Sequence, residues 1–155
     1  PPESIQLLRR HYFRLLAEEI GGGENGNDQR LRRHGWHNEA VAGFFHYAVA
    51  EALRMALGGE LVPTYVFSVV YLPGGVLHPH LDRPDNEVSL TVSLGSEPPG
   101  LVWPLGMGDA EFLLRPGQSV LYRGAEVRHA RKPLLGDNRS AHIIFAFRRQ
   151  CAECC

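Results

Sequence analysis

The sequence predicts a mainly β domain preceded by two helices, and three observations carry that expectation. Up to Gly59 the apolar residues recur at spacings of three to four; beyond it they fall in short runs rich in Val, Tyr, Leu, Phe and Thr. Those runs are separated by Pro and Gly clusters at Pro73-Gly74-Gly75, Pro98-Pro99-Gly100, Gly106-Met107-Gly108, Pro116-Gly117 and Gly136-Asp137-Asn138. No stretch from Glu60 to Phe147 keeps a helical period for ten residues or more, which disfavours a parallel βαβ sheet and favours a sandwich, barrel or jelly roll. With 155 residues, 44% of them apolar and 21% charged, the chain suits a single domain with its own core. Within it we expect a helical support segment at 1–59, a β core at 60–147 and a Cys-containing tail at 148–155.

The first expected helix runs from Ser4 to Ile20, where Ile5, Leu7, Leu8, Tyr12, Leu15, Leu16 and Ile20 fall mostly at spacings of three to four and Gly21 stops it. Gly21 to Gly35, rich in Gly, Asn and charged residues, reads as a mobile loop. A second helix is expected from Asn38 to Leu57, ended by Gly58-Gly59, with Phe44, Phe45 and Met55 read as core contacts. Strands are expected near Leu61–Tyr71, Val76–Leu81, Glu87–Leu94, Leu101–Trp103, Ala110–Leu114, Ser119–Tyr122, Arg128–Ala130 and Ser140–Phe147.

Charge excludes some functions early. The 16 basic residues against 17 acidic ones leave a formal net charge of -1, so no global field steers the protein to nucleic acid or an anionic membrane. The apolar stretch from Leu61 to Leu72 is broken by Pro63, Thr64 and Ser68 and falls short of the ~20 residues of a membrane span. All 3 cysteines, Cys151, Cys154 and Cys155, lie in the last five positions. No disulfide framework can tie the body together, and a cytoplasmic location is expected. The informative excess is the 8 histidines.

Two of them fall into a pattern with chemistry. His80 and Asp82 sit two apart at the end of an expected strand, and the period of a strand aims both side chains at one face. His129, on a later short strand, supplies a third donor. Two imidazoles and one carboxylate on one side of a metal leave the opposite positions open, which suits a non-haem Fe(II) that binds both a co-substrate and dioxygen. A structural zinc would instead call for four protein ligands. Ten residues beyond His129 stands Arg139, at the head of the last apolar run. Its guanidinium can hold a carboxylate by a bidentate fork.

These four positions together resemble the 2-oxoglutarate and Fe(II)-dependent oxygenase superfamily, whose pattern is HxD, a distal His and a basic residue further on. The run from Leu61 to Phe147, including "YLPGGVLHPHLD", "RPGQSVLYRGAEVRHAR" and "RSAHIIFAF", looks most like the prolyl 4-hydroxylase-like branch. The resemblance implies a double-stranded β-helix core of the jelly-roll, cupin-like kind. It implies Fe(II) on His80, Asp82 and His129, and 2-oxoglutarate with its distal carboxylate on Arg139. Tyr71 matches a family position whose phenol lines the co-substrate pocket. On the strand after the HxD turn Ser89, Thr91 and Ser93 share a face, and Ser93 is carried as a further co-substrate contact. The reaction implied is decarboxylation of 2-oxoglutarate to succinate coupled to hydroxylation of a C–H bond by dioxygen. The substrate would be a prolyl or other side chain of a protein or peptide, or a small molecule, with ascorbate as a further candidate cofactor.

Departures from family patterns narrow the reading. Oxygenases that repair alkylated nucleic acid carry a second Arg six positions after the first, where this chain has Phe145, so nucleic acid is disfavoured as a partner. Arg131, two past His129 and on its face if the strand continues, is a second candidate for a carboxylate, ranked below Arg139, and a candidate substrate contact. His78 alternates onto the face of His80 and reads as a rim residue; His46 and His142 read as core or boundary histidines, and Trp103 as a core or wall aromatic. The competing functions are a cupin-like metalloenzyme that does not use 2-oxoglutarate and a catalytically silent jelly-roll binding module.

Overall fold

The structure is a computed structural model that describes residues 2–20, 27–28 and 32–150. In chain order the elements are α1 (Pro2–Ile20), β1 (Asn27–Asp28), β2 (Arg33–His37), α2 (Ala40–Leu57), β3 (Leu61–Tyr71), β4 (Leu77–His80), β5 (Val88–Glu97), β6 (Leu105–Met107), β7 (Ala110–Phe112), β8 (Ser119–Tyr122), β9 (His129–Arg131) and β10 (Arg139–Arg149). The strands form a six-stranded sheet in the order β1-β2-β3-β10-β5-β8 and a four-stranded sheet in the order β4-β9-β6-β7, all pairs antiparallel. Mainly β, with helices leading into two sheets, this is the jelly-roll arrangement that the resemblance implies.

Each long strand of the large sheet divides its side chains between two environments by simple alternation. Val66 and Val70 of β3, Val88 and Leu94 of β5, and Ala141, Ile143, Phe145 and Phe147 of β10 join Tyr12 and Leu16 of α1 and Ala42 and Ala50 of α2 in one core. The intervening residues turn to the small sheet, where Val69 and Tyr71 of β3 pack with Trp103 and Leu134, flanked by Phe67, Leu77 and Ile144. Helices thus cover one face of the large sheet, and the small sheet stands over the other.

The helices are held by specific contacts. Glu39 caps α2 by accepting from the N–H groups of Val41 at 3.0 Å and Ala42 at 3.1 Å. Its other donor is Tyr12 of α1, whose hydroxyl lies 2.8 Å from Glu39 and in turn accepts from Ser68 of β3 at 2.8 Å. Burial would raise the Glu39 pKa, but the hydrogen bonds from Val41, Tyr12 and Ala42, with His11 nearby, outweigh it and hold the carboxyl below its usual value. At the other end Gly58 takes the left-handed conformation, φ 69°, and donates to the Arg54 carbonyl at 3.0 Å.

Three expectations are corrected. The segment read as a loop, Gly21 to Gly35, ends in a strand: Arg33–His37 pairs along β3 and widens the large sheet, while residues 21–26 and 29–31, like the terminal cysteines, lie outside the described residues. Leu101–Trp103 is no strand: the pairing begins at Leu105, and the indole of Trp103 instead donates to the Lys132 carbonyl at 3.0 Å. Phe44, Phe45 and Met55, expected in the core, are all exposed, because α2 turns the stripe Ala42, His46 and Ala50 to the sheet.

Candidate metal centre

The pairing of β4 with β9 in the four-stranded sheet, and the segment that follows β4, bring His80, Asp82 and His129 together. His80 ends β4, His129 opens β9, and the two are register partners, as are Leu77 and Arg131. Between those pairs β4 advances three residues and β9 only two, a bulge that places the two imidazole centroids 4.3 Å apart. The bulge also breaks the alternation that put His78 beside His80. His78 is exposed, and its carbonyl accepts from His80 Nδ1 at 2.9 Å. Asp82 follows on a turn pinned by its N–H donating to the Gly124 carbonyl at 2.9 Å. One donor atom from each of the three residues lies within 4.8 Å of the other two.

The hydrogen bonds around this trio fix which atoms it presents. A carbonyl can only accept, so His80 Nδ1 and His129 Nδ1, 2.9 Å and 3.0 Å from the carbonyls of His78 and Val127, carry the ring protons. Each Nε2 keeps its lone pair, 3.7 Å (His80) and 3.6 Å (His129) from Asp82 Oδ1. Oδ2 of the same carboxylate accepts from Ser89 at 2.6 Å, which leaves Oδ1 turned to the imidazoles. Burial pushes the His129 pKa down against the pull of the Val127 carbonyl and Asp82, favouring the neutral imidazole that a metal needs. This donor set, with its orienting partners already in place, fits a divalent cation bound by two imidazoles and one carboxylate.

The trio faces a cavity of about 190 Å³ between the sheets. Tyr65 and Phe67 of β3, Leu77 of β4, Leu105 of β6 and Ile144 of β10 give it apolar walls, with Arg33 and His37 of β2 along another side. Its polar lining comes from Tyr71, Thr91, Tyr122, Arg131 and His142. The Tyr122 hydroxyl lies 3.4 Å from His129 Nε2 and 3.3 Å from Thr91, and burial raises its pKa, so it stays protonated. His142 is fully enclosed; burial, with Arg131 nearby, holds it well below the usual imidazole value.

The remaining expected residues divide. Tyr71 lines the cavity, its ring edge-on to Trp103 at 4.8 Å. Ser93 is buried opposite His142 in register but does not line the cavity, whereas Ser89 and Thr91 on the same face lie at the metal trio and the cavity wall. Arg139 is not brought to the cavity. It shares the parity of Ala141, Ile143 and Phe145, which face the helices, so its guanidinium stacks on Phe13 of α1 at 5.4 Å and pairs with Glu97. Arg131 lines the cavity instead, 4% exposed, with Nη1 donating to the Trp103 carbonyl at 2.6 Å and the guanidinium 4.9 Å from the indole ring. Burial lowers the Arg131 pKa to about 10, and the groups that offset this are the phenols of Tyr71 and Tyr122. Sequence reasoning passed over Tyr122 and Gly124. Alternation along β8, where Leu121 faces the helix-side core, was the signal that could have turned Tyr122 to the cavity.

No family model matches the chain, and no curated protein matches it by sequence. Solved structures do match. A prolyl-4-hydroxylase from Pseudomonas putida aligns over 97% of this chain and 89% of its own, with a TM-score of 0.73 and 22% identity. AviO1 from Streptomyces viridochromogenes Tue57 aligns over 98% and 86%, with a TM-score of 0.71 and 17% identity. The viral collagen prolyl hydroxylase of Paramecium Bursaria Chlorella virus-1, solved as a 2OG complex, aligns over 88% and 87%, with a TM-score of 0.60 and 15% identity. The chain therefore has the fold of prolyl hydroxylases and other 2OG-Fe(II) oxygenases. Among its described residues no helix is long and apolar enough to cross a membrane.

Proposed function

We propose that the protein is an Fe(II)- and 2-oxoglutarate-dependent dioxygenase that hydroxylates a C–H bond of a peptide, protein or small-molecule substrate. The observation that carries this reading is the convergence of His80, Asp82 and His129 on one side of a cavity, with each Nε2 carrying a lone pair and Asp82 Oδ1 turned to them. A shared fold with prolyl hydroxylases supports it and makes a prolyl residue the first substrate to try.

In this reading His80, Asp82 and His129 would hold the iron at the wall of the cavity. Bound iron and 2-oxoglutarate supply the oxidising chemistry, with 2-oxoglutarate giving succinate and CO2 as dioxygen is consumed. The chain's own residues position and screen. Carbonyls of His78 and Val127 lock both imidazoles in the ligating tautomer, and Ser89 holds the carboxylate by one oxygen. Tyr65, Phe67 and Ile144 present apolar surface that keeps water from the reacting centre.

The test is to incubate iron-loaded protein with 2-oxoglutarate in air and measure succinate. Slow uncoupled turnover is expected from the wild type, and none from Asp82→Ala or His129→Ala, both of which should also fail to retain iron. A wild type that holds iron yet forms no succinate sinks the proposal.

A further inference from the structure

The structure assigns the cation that anchors the distal carboxylate of the co-substrate to Arg131 on β9 rather than to Arg139 on β10. The inference rests on the proposed function for the identity of the co-substrate, and on the molecule itself for which arginine holds it. Arg131 is the buried cation of the cavity: 4% exposed, with Nη1 engaged by the Trp103 carbonyl while Nη2 has no hydrogen-bond partner. Its contacts are the Trp103 carbonyl and the Trp103 indole, and among the described residues no carboxylate forms an ion pair with it. A buried guanidinium with an idle N–H and no carboxylate is costly, and an anionic ligand in the cavity relieves that cost. Beside it His142, also buried and lining the cavity, has an unpartnered Nδ1, while its Nε2 lies 2.9 Å from Ser140 Oγ. With Ser140 donating to Nε2, Nδ1–H is a second donor to the same carboxylate.

Spacing fits a dicarboxylate. Arg131 lies two residues past the ligand His129 on one strand, with its side chain on the same face, a separation of about 6.6 Å along the backbone. A five-carbon 2-oxo acid whose oxo-acid end lies at the metal trio reaches back along β9 with its far carboxylate toward Arg131. Arg139 already has a carboxylate in Glu97 and an aromatic platform in Phe13, and it lies in a groove with Arg9, Arg10 and Ser96 that contains none of the three metal-site residues.

The experiment is calorimetric titration of Mn(II)-loaded protein with 2-oxoglutarate and with 2-oxobutyrate, which has the oxo-acid end but no distal carboxylate. Wild type is expected to prefer 2-oxoglutarate. Truncating one partner of a buried charge pair predicts that Arg131→Gln weakens 2-oxoglutarate at least about 30-fold. Its affinities for Mn(II) and 2-oxobutyrate should stay within about threefold of wild type, as expected when only the distal-carboxylate contact is removed. Arg139→Gln should stay within about threefold for all three ligands, as expected for a side chain outside the cavity. Arg131→Lys keeps a cation but loses the fork, and should still weaken 2-oxoglutarate about tenfold, so the inference is testable if the Gln variant does not fold. Loss of 2-oxoglutarate binding in Arg139→Gln with retention in either Arg131 variant overturns the assignment alone. A wild type that binds Mn(II) but neither oxo acid overturns the proposed function and the assignment together.

Discussion

Gly124 shows how narrow the tolerances are around Asp82, the carboxylate of the candidate metal trio. A methyl group built on it would stand 2.1 Å from Asp82 Oδ2 and 2.5 Å from Ser89 Oγ, while the Gly124 carbonyl also accepts the Asp82 N–H. Gly124→Ala must therefore turn the carboxylate out of its hydrogen bond with Ser89. We expect a loss of metal affinity of about 10- to 100-fold, the range for disturbing a ligand's orienting partners, read by competition against a chromophoric chelator. Ser89→Ala should fall in the same range, since it frees the same carboxylate without adding bulk. Retained affinity in both variants would show that the Asp82 orientation does not depend on Ser89.

Strand β10 serves two environments at once. Its odd positions from Ala141 to Phe147 face the helices, and on its other face His142 and Ile144 line the cavity. Near its end Ala146 offers its carbonyl to His46 of α2 at 3.0 Å, a bond that ties helix to sheet. Burial pushes the His46 pKa down, outweighing the Ala146 carbonyl, which favours the charged form. The unfolded chain then takes up a proton below pH 6.5 that the native state resists, so stability is unaffected well above 6.5 and declines as pH falls through it. The slope is at most about 1.4 kcal/mol per pH unit for each such histidine, and His142 adds to it in the same direction. Urea unfolding between about pH 7.5 and 5 should show this decline for wild type. His46→Gln, which keeps an N–H for the carbonyl but does not titrate, should make the decline shallower and leave the part due to His142.

At the scale of the whole molecule the large sheet separates stability from chemistry. Tyr12 and Leu16, 1% and 0% exposed, belong to the helix-side core, and the metal trio lies on the opposite face. Leu16→Ala should cost about 2–5 kcal/mol of unfolding free energy. Metal affinity, measured where the variant remains folded, should stay within about threefold of wild type because, among the described residues, the helix-side core and the cavity-side cluster have no member in common. A parallel fall in both would mean that the sheet transmits strain from one face to the other.

How much of this was legible in the sequence follows from what kind of information each feature needs. Both helices and most strands follow from local periodicity, and the metal trio was legible because a two-residue spacing on a strand and the residue types involved are local facts. The strand Arg33–His37 was hidden because its residues become a strand by pairing with β3, a distant partner that polar composition does not reveal. The choice between Arg131 and Arg139 was hidden for a related reason. Alternation says which residues of a strand share a face, but not which face the helices will cover. By itself the sequence determined the kinds of element, their order and the three candidate ligands, since these rest on short-range periodicity and side-chain chemistry. Which arginine is enclosed with the candidate ligands and which is turned to α1 emerges from the packing, because it depends on how two sheets and two helices share the two sides of one strand.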